Sequence, residues 1–265
     1  MSLYSATMHK RFAAQSVIGD TLRVQDGASR RSALARLFGL TPIGDDSMSW
    51  YLGAKGEIVV GSFLARLPPD WTVFRAVPAD SARTEIDHLV IGPGGIFTIT
   101  TKNHAGDIRV GRNSLQVDSQ PVSYLQHAES EAERVTSLVR ERMPLVAPVQ
   151  PVLVFVEPSL LTIEQKPPQV KVLDAMDLCP WLIRLHPVLS AGEVQEVADL
   201  LDSPQVWHAL PDTTPEDVQE RFTELDARLR SAGIRRLTWG VLAAAAAIAA
   251  GFGVLQLITA ATAAG

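Results

Sequence analysis

Residues 85–103 read EIDHLVIGPGGIFTITTKN and form the most informative segment of this chain. Two apolar runs, rich in β-branched and aromatic residues, flank Gly92-Pro-Gly-Gly95, whose composition is that of a turn. The segment therefore predicts a β-hairpin whose strands cover Glu85–Ile91 and Gly95–Lys102.

The register of this hairpin decides which side chains meet. A pairing of Ile91 with Ile96 would fix every other antiparallel pair. Asp87 would then lie opposite Thr100, and residues two apart on a strand share a face. A slip of one residue would separate the polar side chains. With this register, one face of the hairpin carries Glu85, Asp87, Thr100 and Lys102.

The sequence around the hairpin alternates further strands and helices, which predicts an α/β fold with a mixed sheet and flanking helices. A capping box at Ser190–Glu193 predicts a helix that ends at Leu201. The other predicted helices are Gly53–Leu67 and Ala128–Arg142, the second with Val135, Leu138 and Val139 facing inward. The other predicted strands are Thr72–Val77 and Pro151–Val156.

Glu57 lies on the apolar stripe of the first predicted helix. It precedes Val60 by three positions and Leu64 by seven, so its side chain is expected to point partly toward the protein. A carboxylate in such a position needs a partner. Lys102 and a divalent metal ion are the two alternatives that the sequence offers.

Several of these features, in this order, resemble the nuclease-related domain (NERD) family, which is similar to the PD-(D/E)xK nucleases. They are Gly53-Ala-Lys-Gly-Glu57, the strand residue Asp87, the glycine turn, and Thr101-Lys102-Asn103 followed by Gly106. The resemblance spans roughly residues 50–175, and Tyr124–Val135 and Pro151–Val156 resemble later elements of the family. It implies a restriction-endonuclease-like fold and Mg²⁺-dependent hydrolysis of phosphodiester bonds in nucleic acid.

In the mechanism that the resemblance implies, Asp87, Lys102 and Glu57 are the catalytic residues. Mg²⁺ or Mn²⁺ would be bound by Asp87, Glu57 and the main-chain carbonyl of Thr101, with Glu85 as a further candidate ligand. The ion would activate a water molecule and steady the scissile phosphate. Lys102 would orient that water and offset the developing negative charge.

Thr100 departs from the family pattern, which usually has a glutamate two residues before the lysine. A hydroxyl at this position removes one full negative charge from the expected metal site. Two interpretations therefore stay open: a nuclease with a weakened site, and a non-catalytic module that binds nucleic acid or a protein partner. In the second, Lys102 is only a salt-bridge partner of Glu85 or Asp87.

Other functions lose support from the rest of the sequence. The chain has no Gly-x-x-x-x-Gly-Lys-Ser/Thr, Gly-x-Ser-x-Gly or Gly-x-Gly-x-x-Gly motif, which argues against NTPases, serine hydrolases and dinucleotide enzymes. Cys179 is the only cysteine, which excludes an internal disulfide and a multi-cysteine zinc site. His88 is expected on the face opposite Asp87, and His104 and His127 are expected to be satisfied polar residues.

Charge restricts the nucleic-acid interpretation without removing it. The net charge of −5 and the pI near 5.7 exclude a globally basic nucleic-acid coat, although a local basic groove remains possible.

The C-terminal segment 237–265 contains no charged residue and no histidine. Because about 20 apolar residues cross the hydrocarbon core of a bilayer, residues 237–264 are predicted to form a transmembrane helix. Arg230, Arg235 and Arg236 precede this segment and no charge follows it, so the preceding domain is expected to face the cytoplasm.

A separate helix is predicted just before the span, with Thr214 as N-cap and Pro215 at the first helical position. Its apolar stripe could pack on its own domain or form the seam of a homodimer. The stripe consists of Val218, Phe222, Leu225 and Leu229.

The sequence thus divides into an N-terminal extension (1–49, partly disordered, without a secretory signal), an α/β domain (50–205), a linker with the juxtamembrane helix (206–236) and the span (237–264). Thr41-Pro42 and Gly44-Asp45-Asp46 predict a linker. Residues 29–40 predict a short basic amphipathic helix. The sequence favours a solvated, partly packed helix there, the alternative being contact with anionic lipid or nucleic acid.

Overall fold

The structure, a computed structural model, describes residues 8–27, 32–78, 85–144, 146–207 and 217–263. The chain divides into two compact units. Unit 1 consists of Met1–Asp20 and Ser49–Pro215, and unit 2 of Thr21–Met48 and Glu216–Gly265. The predicted cap of the juxtamembrane helix at Thr214 and Pro215 lies outside the described residues.

The described residues form nine strands and seven α-helices. The strands are β1 (Thr72–Pro78), β2 (Glu85–Gly92), β3 (Gly95–Asn103), β4 (Asp107–Val110), β5 (Leu115–Val117), β6 (Gln120–Val122), β7 (Gln150–Val156), β8 (Leu160–Ile163) and β9 (Lys171–Asp174). The helices are α1 (Gln15–Asp26), α2 (Ala33–Leu37), α3 (Asp45–Leu64), α4 (Tyr124–Arg140), α5 (Ala175–Ile183), α6 (Ala191–Leu201) and α7 (Val218–Ala263), with a 3₁₀ turn at Met8–Lys10.

The central sheet of unit 1 has the strand order β1-β2-β3-β7-β9. β1, β2 and β3 pair antiparallel, whereas β7 joins β3, and β9 joins β7, in parallel. A second, smaller sheet has the order β6-β5-β4-β8 and is also mixed. The predicted mixed α/β architecture with flanking helices is confirmed.

The hairpin has the predicted register. Ile91 pairs with Ile96, and the pairing continues to His88 and Ile99. The turn packs against the side chain of Trp71. A Cβ on Gly92 would lie 2.3 Å from the indole ring. Glycine is therefore required at this position because any side chain would collide with the ring.

Alternation along the hairpin sends apolar side chains to two separate cores. One face, with Leu89, Ile91 and Ile96, packs on the apolar stripes of α4 and α6. The other face packs on α3 and α5, whose contacting residues are Val60, Leu64, Leu178 and Leu182. The central sheet is consequently covered by helices on both sides, as a parallel or mixed sheet requires.

The start of α3 differs from the sequence prediction, whereas the capping box of α6 agrees with it. The predicted linker at Gly44-Asp45-Asp46 is wrong, because α3 already begins at Asp45. Acidic residues are favourable in the first turn of a helix, where they complement the positive end of the dipole. The capping box at Ser190 is confirmed, since its hydroxyl accepts a hydrogen bond from the N–H of Glu193.

In unit 2, α7 is one continuous helix from Val218 to Ala263, where the sequence predicted a juxtamembrane helix and a separate span. It is long and apolar enough to cross a membrane, and its most apolar window is not buried in the protein. Val218, Phe222 and Leu225 near its start are buried within the single chain. This burial favours packing on the same chain over a dimer seam.

Candidate functional site

Asp87 lies where the two strands of the hairpin stop pairing. Counted from the turn, the last pair of the two strands is His88 with Ile99, and Asp87 is the next residue of β2. There the Oδ2 atom of Asp87 accepts a hydrogen bond of 2.6 Å from the main-chain N–H of Thr101. The carboxylate thus occupies the opening between β2 and β3.

Thr100 lies on β3, one residue before Thr101, and binds a carboxylate from a neighbouring helix. Its hydroxyl donates a hydrogen bond of 2.6 Å to Oε2 of Glu131 on α4. Both side chains are buried, with 2% of Thr100 and 7% of Glu131 exposed. Nε2 of His127, one turn earlier on α4, lies 3.0 Å from the other oxygen of Glu131. Glu131 therefore places a carboxylate next to Thr100, the position at which the family pattern usually has a glutamate.

Glu57 approaches from the opposite side of the sheet, on α3. The helix comes close to β3 because Gly56 has no side chain: a Cβ there would lie 2.9 Å from Cβ of Asn103. The Nδ2 group of Asn103 donates to the carbonyl of Leu52 at 2.8 Å and fixes this approach. Glu57 is buried, as the helical stripe predicts, and accepts a hydrogen bond from the main-chain N–H of Ala14.

Lys102 lies against an aromatic ring at the edge of the same site. Its Nζ is 4.9 Å from the ring centroid of Tyr124, a cation–π distance. The hydroxyl of Tyr124 is 2.9 Å from Nε2 of His104, and the two rings stack. His104 is thus a satisfied polar residue, as predicted, and so is His127 through Glu131.

Glu85 is bound by the N-terminal segment. The guanidinium of Arg11 lies 2.6 Å from its Oε1, and the hydroxyl of Ser16 donates to the same oxygen. Arg11 also donates to the carbonyl of Ala76 at 2.6 Å. The positive charge next to Glu85 thus comes from Arg11, which leaves Lys102 facing the other carboxylates.

Asp87 interacts electrostatically with two other buried carboxylates, Glu131 of α4 and Glu57 of α3, and the three are here called the carboxylate cluster. Burial and the charge of Glu131 raise the pKa of Asp87 to about 7, against the lowering effect of Lys102 and of the Thr101 N–H. Burial, then the charges of Asp87 and Glu85, raises the pKa of Glu57 well above its ordinary value. Burial and the neighbouring carboxylates together therefore outweigh the positive charge of Lys102 at both groups.

His88 lies on the other face, as predicted. It is fully buried, and neither ring nitrogen has a hydrogen-bond partner within the described part of the chain. Burial, followed by the charge of Arg75, lowers its pKa to about 3, so the ring is neutral. A Cβ on Gly61 of α3 would lie 3.0 Å from Nε2, which shows how closely the helix covers the imidazole.

Sequence reasoning missed Glu131, although the signal was present. Val135 and Val139 were predicted to face inward, and Glu131 precedes them by one and two helical turns on the same stripe. The contributions of Arg11 and Ala14 had no such signal. They depend on how a segment far away in sequence packs against the hairpin.

The acidic side chains of the site do not form a ready-made metal site. The same holds for every group of three histidine, cysteine or acidic side chains among the described residues. The carboxylate cluster nevertheless has the hard anionic oxygens that Mg²⁺ and Mn²⁺ prefer. A cation next to Asp87 would offset the burial and the nearby negative charge that raise its pKa.

We expect the raised pKa of Asp87 to appear in the pH dependence of stability. Folding favours its protonated form, so this stabilisation is complete below the ordinary pKa of 3.8 and is lost as pH rises through about 7. In the presence of a chelator, the melting temperature of the wild type should therefore fall relative to Asp87→Asn between about pH 4 and about pH 7.

Taking the difference between the two proteins cancels the titration of His88, which is the same in both. Asp107→Asn, which removes an exposed carboxylate, is the matched control. Parallel pH curves for the wild type and Asp87→Asn would contradict the crowded carboxylate cluster.

Comparison with known proteins gives one match and one negative result. No curated protein matches the chain. The sequence model of the nuclease-related domain matches residues 52–156, a segment that runs from α3 to the end of β7. This segment contains Glu57, Asp87, Thr100, Lys102 and Glu131. The resemblance is therefore confirmed for the part of the chain that carries the site: residues 52–156 match the nuclease-related domain family.

Proposed function

We propose that this protein is a metal-dependent phosphodiesterase acting on nucleic acid, in which Glu131 replaces the glutamate missing at Thr100. The match to the nuclease-related domain supports a nuclease-related function. The observation that carries the finer proposal is the hydrogen bond of 2.6 Å between the hydroxyl of Thr100 and the carboxylate of Glu131. It fixes a negatively charged group from α4 beside the family's carboxylate position.

In this proposal a divalent ion is held by Asp87 and Glu131, with Glu57 and the main-chain carbonyl of Thr101 as further candidates. Mg²⁺ or Mn²⁺, when bound, would supply activation of water and stabilisation of charge on the phosphate. Few protein ligands suffice because Mg²⁺ usually keeps several water molecules. Glu85 is excluded from this set because Arg11 and Ser16 already occupy its carboxylate.

Lys102 provides the positive charge of the site. Its ammonium group, resting against the ring of Tyr124, orients the attacking water and offsets the negative charge that develops on the phosphate. His127 is the neighbour of Glu131 on α4, and its hydrogen bond to that carboxylate raises the pKa of its imidazole. It holds Glu131 in place, since a bonded carboxylate loses its rotational freedom.

We further propose that α7 anchors the protein in a membrane through residues 237–264, with the α/β domain on the cytoplasmic side. The helix has the length and apolar composition of a span. Arg235 and Arg236 lie directly before the uncharged part, and basic residues are enriched on the cytoplasmic side of spans.

The first test relocates one carboxylate. Glu131→Gln should weaken Mn²⁺ binding by about tenfold or more, because it removes one hard anionic ligand. Adding Thr100→Glu to this variant should restore binding, since the carboxylate then projects from the neighbouring strand. Isothermal titration of the purified protein with Mn²⁺ measures both effects.

Glu133→Gln, on the exposed face of the same helix, is the matched control and should bind Mn²⁺ like the wild type. Unchanged affinity in Glu131→Gln would remove Glu131 from the proposed metal site. Loss of affinity that Thr100→Glu fails to restore would show that the two positions are not equivalent.

The second test separates the nuclease from the non-catalytic module. Lys102→Ala should lower Mn²⁺-dependent nicking of plasmid DNA, or cleavage of single-stranded RNA, by about 100-fold or more. Lys171→Ala is the control, because Lys171 makes a similar cation–π contact with Trp181 in the same unit. Binding of nucleic acid that ignores both Lys102→Ala and a chelator, without cleavage by the wild type, would favour the non-catalytic module.

The third test concerns the anchor. The full chain should stay in the membrane pellet after an alkaline carbonate wash, and deletion of residues 237–265 should transfer it to the supernatant with its circular dichroism retained. The reason is that the core of unit 1 consists of residues outside this segment. A full chain that carbonate extracts, or a truncated chain that remains in the pellet, would contradict the anchor.

A further inference from the structure

Unit 2 contains a short segment bound to the long helix at the start of its uncharged part. Ser32 caps α2 by accepting a hydrogen bond of 3.1 Å from the N–H of Ala35. The chain then turns at Gly39, which has a φ of +70°. A Cβ on Gly39 would lie 2.4 Å from the carbonyl oxygen of Ala232, so only glycine allows the turn to touch α7.

Hydrogen bonds hold this segment at a defined level of α7. The indole N–H of Trp239 donates to the carbonyl of Leu37 at 3.0 Å, and the rings of Trp239 and Phe38 lie 5.3 Å apart. The guanidinium of Arg236 donates to the hydroxyl of Thr41 at 2.9 Å and to the carbonyl of Gly39 at 3.3 Å. Both anchoring residues flank Leu237, where the uncharged part of α7 begins.

The outer face of the segment is apolar and exposed. Leu34, Leu37 and Phe38 have helical i, i+3, i+4 spacing, and Leu40 follows them. Their exposed fractions are 66%, 51%, 47% and 57%, respectively. Leu237 and Val241, in the uncharged part of α7, are exposed as well. Contiguous apolar side chains of this size usually contact a protein or a membrane.

Charge selects the membrane over a protein partner. Residues 27–44 and residues 227–265 contain arginines but no aspartate or glutamate. Arg36 and Arg235 are exposed beside the apolar face. An apolar face bordered only by positive charge suits the headgroup region of an anionic bilayer, where tryptophan is also enriched.

We propose that residues 32–41 lie in the plane of an anionic lipid surface and set the depth at which α7 enters the bilayer. This goes beyond the site on unit 1 and rests on the proposed anchor. The apolar side chains of α2 insert between acyl chains, Arg36 and Arg235 contact anionic headgroups, and Trp239 lies at the level of the headgroups. The segment is thus a second membrane contact rather than the solvated helix that the sequence favours.

The experiment places nitroxide labels on the full chain in vesicles of phosphatidylcholine and phosphatidylglycerol. In a Cys179→Ser background, single cysteines replace Leu34, Leu40, Ile248 and Ala227. Collision rates with oxygen, which partitions into lipid, and with a water-soluble nickel chelate measure the depth of each label. The Ile248 label reports on the anchor, and Ala227 is an exposed aqueous control on α7.

We expect the labels at positions 34 and 40 to be several-fold less accessible to nickel than the label at 227, and shallower than the label at 248. Arg36→Glu should raise the accessibility of the label at 34 to nickel by about fivefold. The reason is that each basic residue near an anionic surface contributes about 1 kcal/mol to membrane binding. Arg228→Glu, whose arginine is paired with Glu224, is the matched control and should have no effect.

Labels at both 34 and 40 that are as accessible as the label at 227, while the label at 248 is in lipid, would overturn this inference and leave the anchor intact. An aqueous label at 248 would overturn the anchor and the inference together. Spin–spin broadening at 34 would indicate that a second copy covers the face, and would also overturn the inference.

Discussion

The pairing of Ile91 with Ile96 is the constraint on which the site depends. In a β-strand the side chains alternate between the two faces, so this pair assigns the paired residues, from His88 to Ile91 and from Ile96 to Ile99, to a helix layer. Asp87 and Thr100 fall on the side of α4, and His88 falls on the side of α3. A slip of one residue would place His88 near Glu131 and bury Asp87 against the apolar stripe of α3, at a large cost in free energy.

The carboxylate cluster is unfavourable for the folded protein taken alone. A carboxylate removed from water and placed near other carboxylates takes up a proton more readily, as Asp87 does. Structural ion pairs usually avoid this by bringing in matching positive charge, as Arg11 does for Glu85. Near Asp87, the single positive charge of Lys102 lies among several acidic groups. Such an arrangement is typical of sites that bind a cation or move a proton.

Much of the fold and part of the site could be predicted from the sequence. The hairpin, its register and the inward position of Glu57 follow from local patterns, because strand alternation and helical periodicity depend on neighbours in the chain. The second sheet was not predicted, since its strands β5 and β6 are too short to show alternation. The contacts of Arg11 and Ala14, and the close approach of α3 at Gly56, depend on tertiary packing. A single sequence shows no periodic pattern for such contacts.

The length of α7 limits how it can meet a bilayer. Its 46 residues extend over roughly 69 Å, whereas the hydrocarbon core is about 30 Å thick. Less than half of the helix can therefore lie in the core unless it tilts strongly. Its first turns contain Glu220, Glu224 and Asp226, and Val218 and Phe222 are buried within the chain, so in the proposed anchor this half lies outside the membrane. In that proposal the helix enters the bilayer near Arg235 and Arg236. Because α7 has no break, its depth in the bilayer determines the position of its first turns. A contact that fixes this depth at Trp239 would therefore also fix the distance of the first turns from the lipid surface.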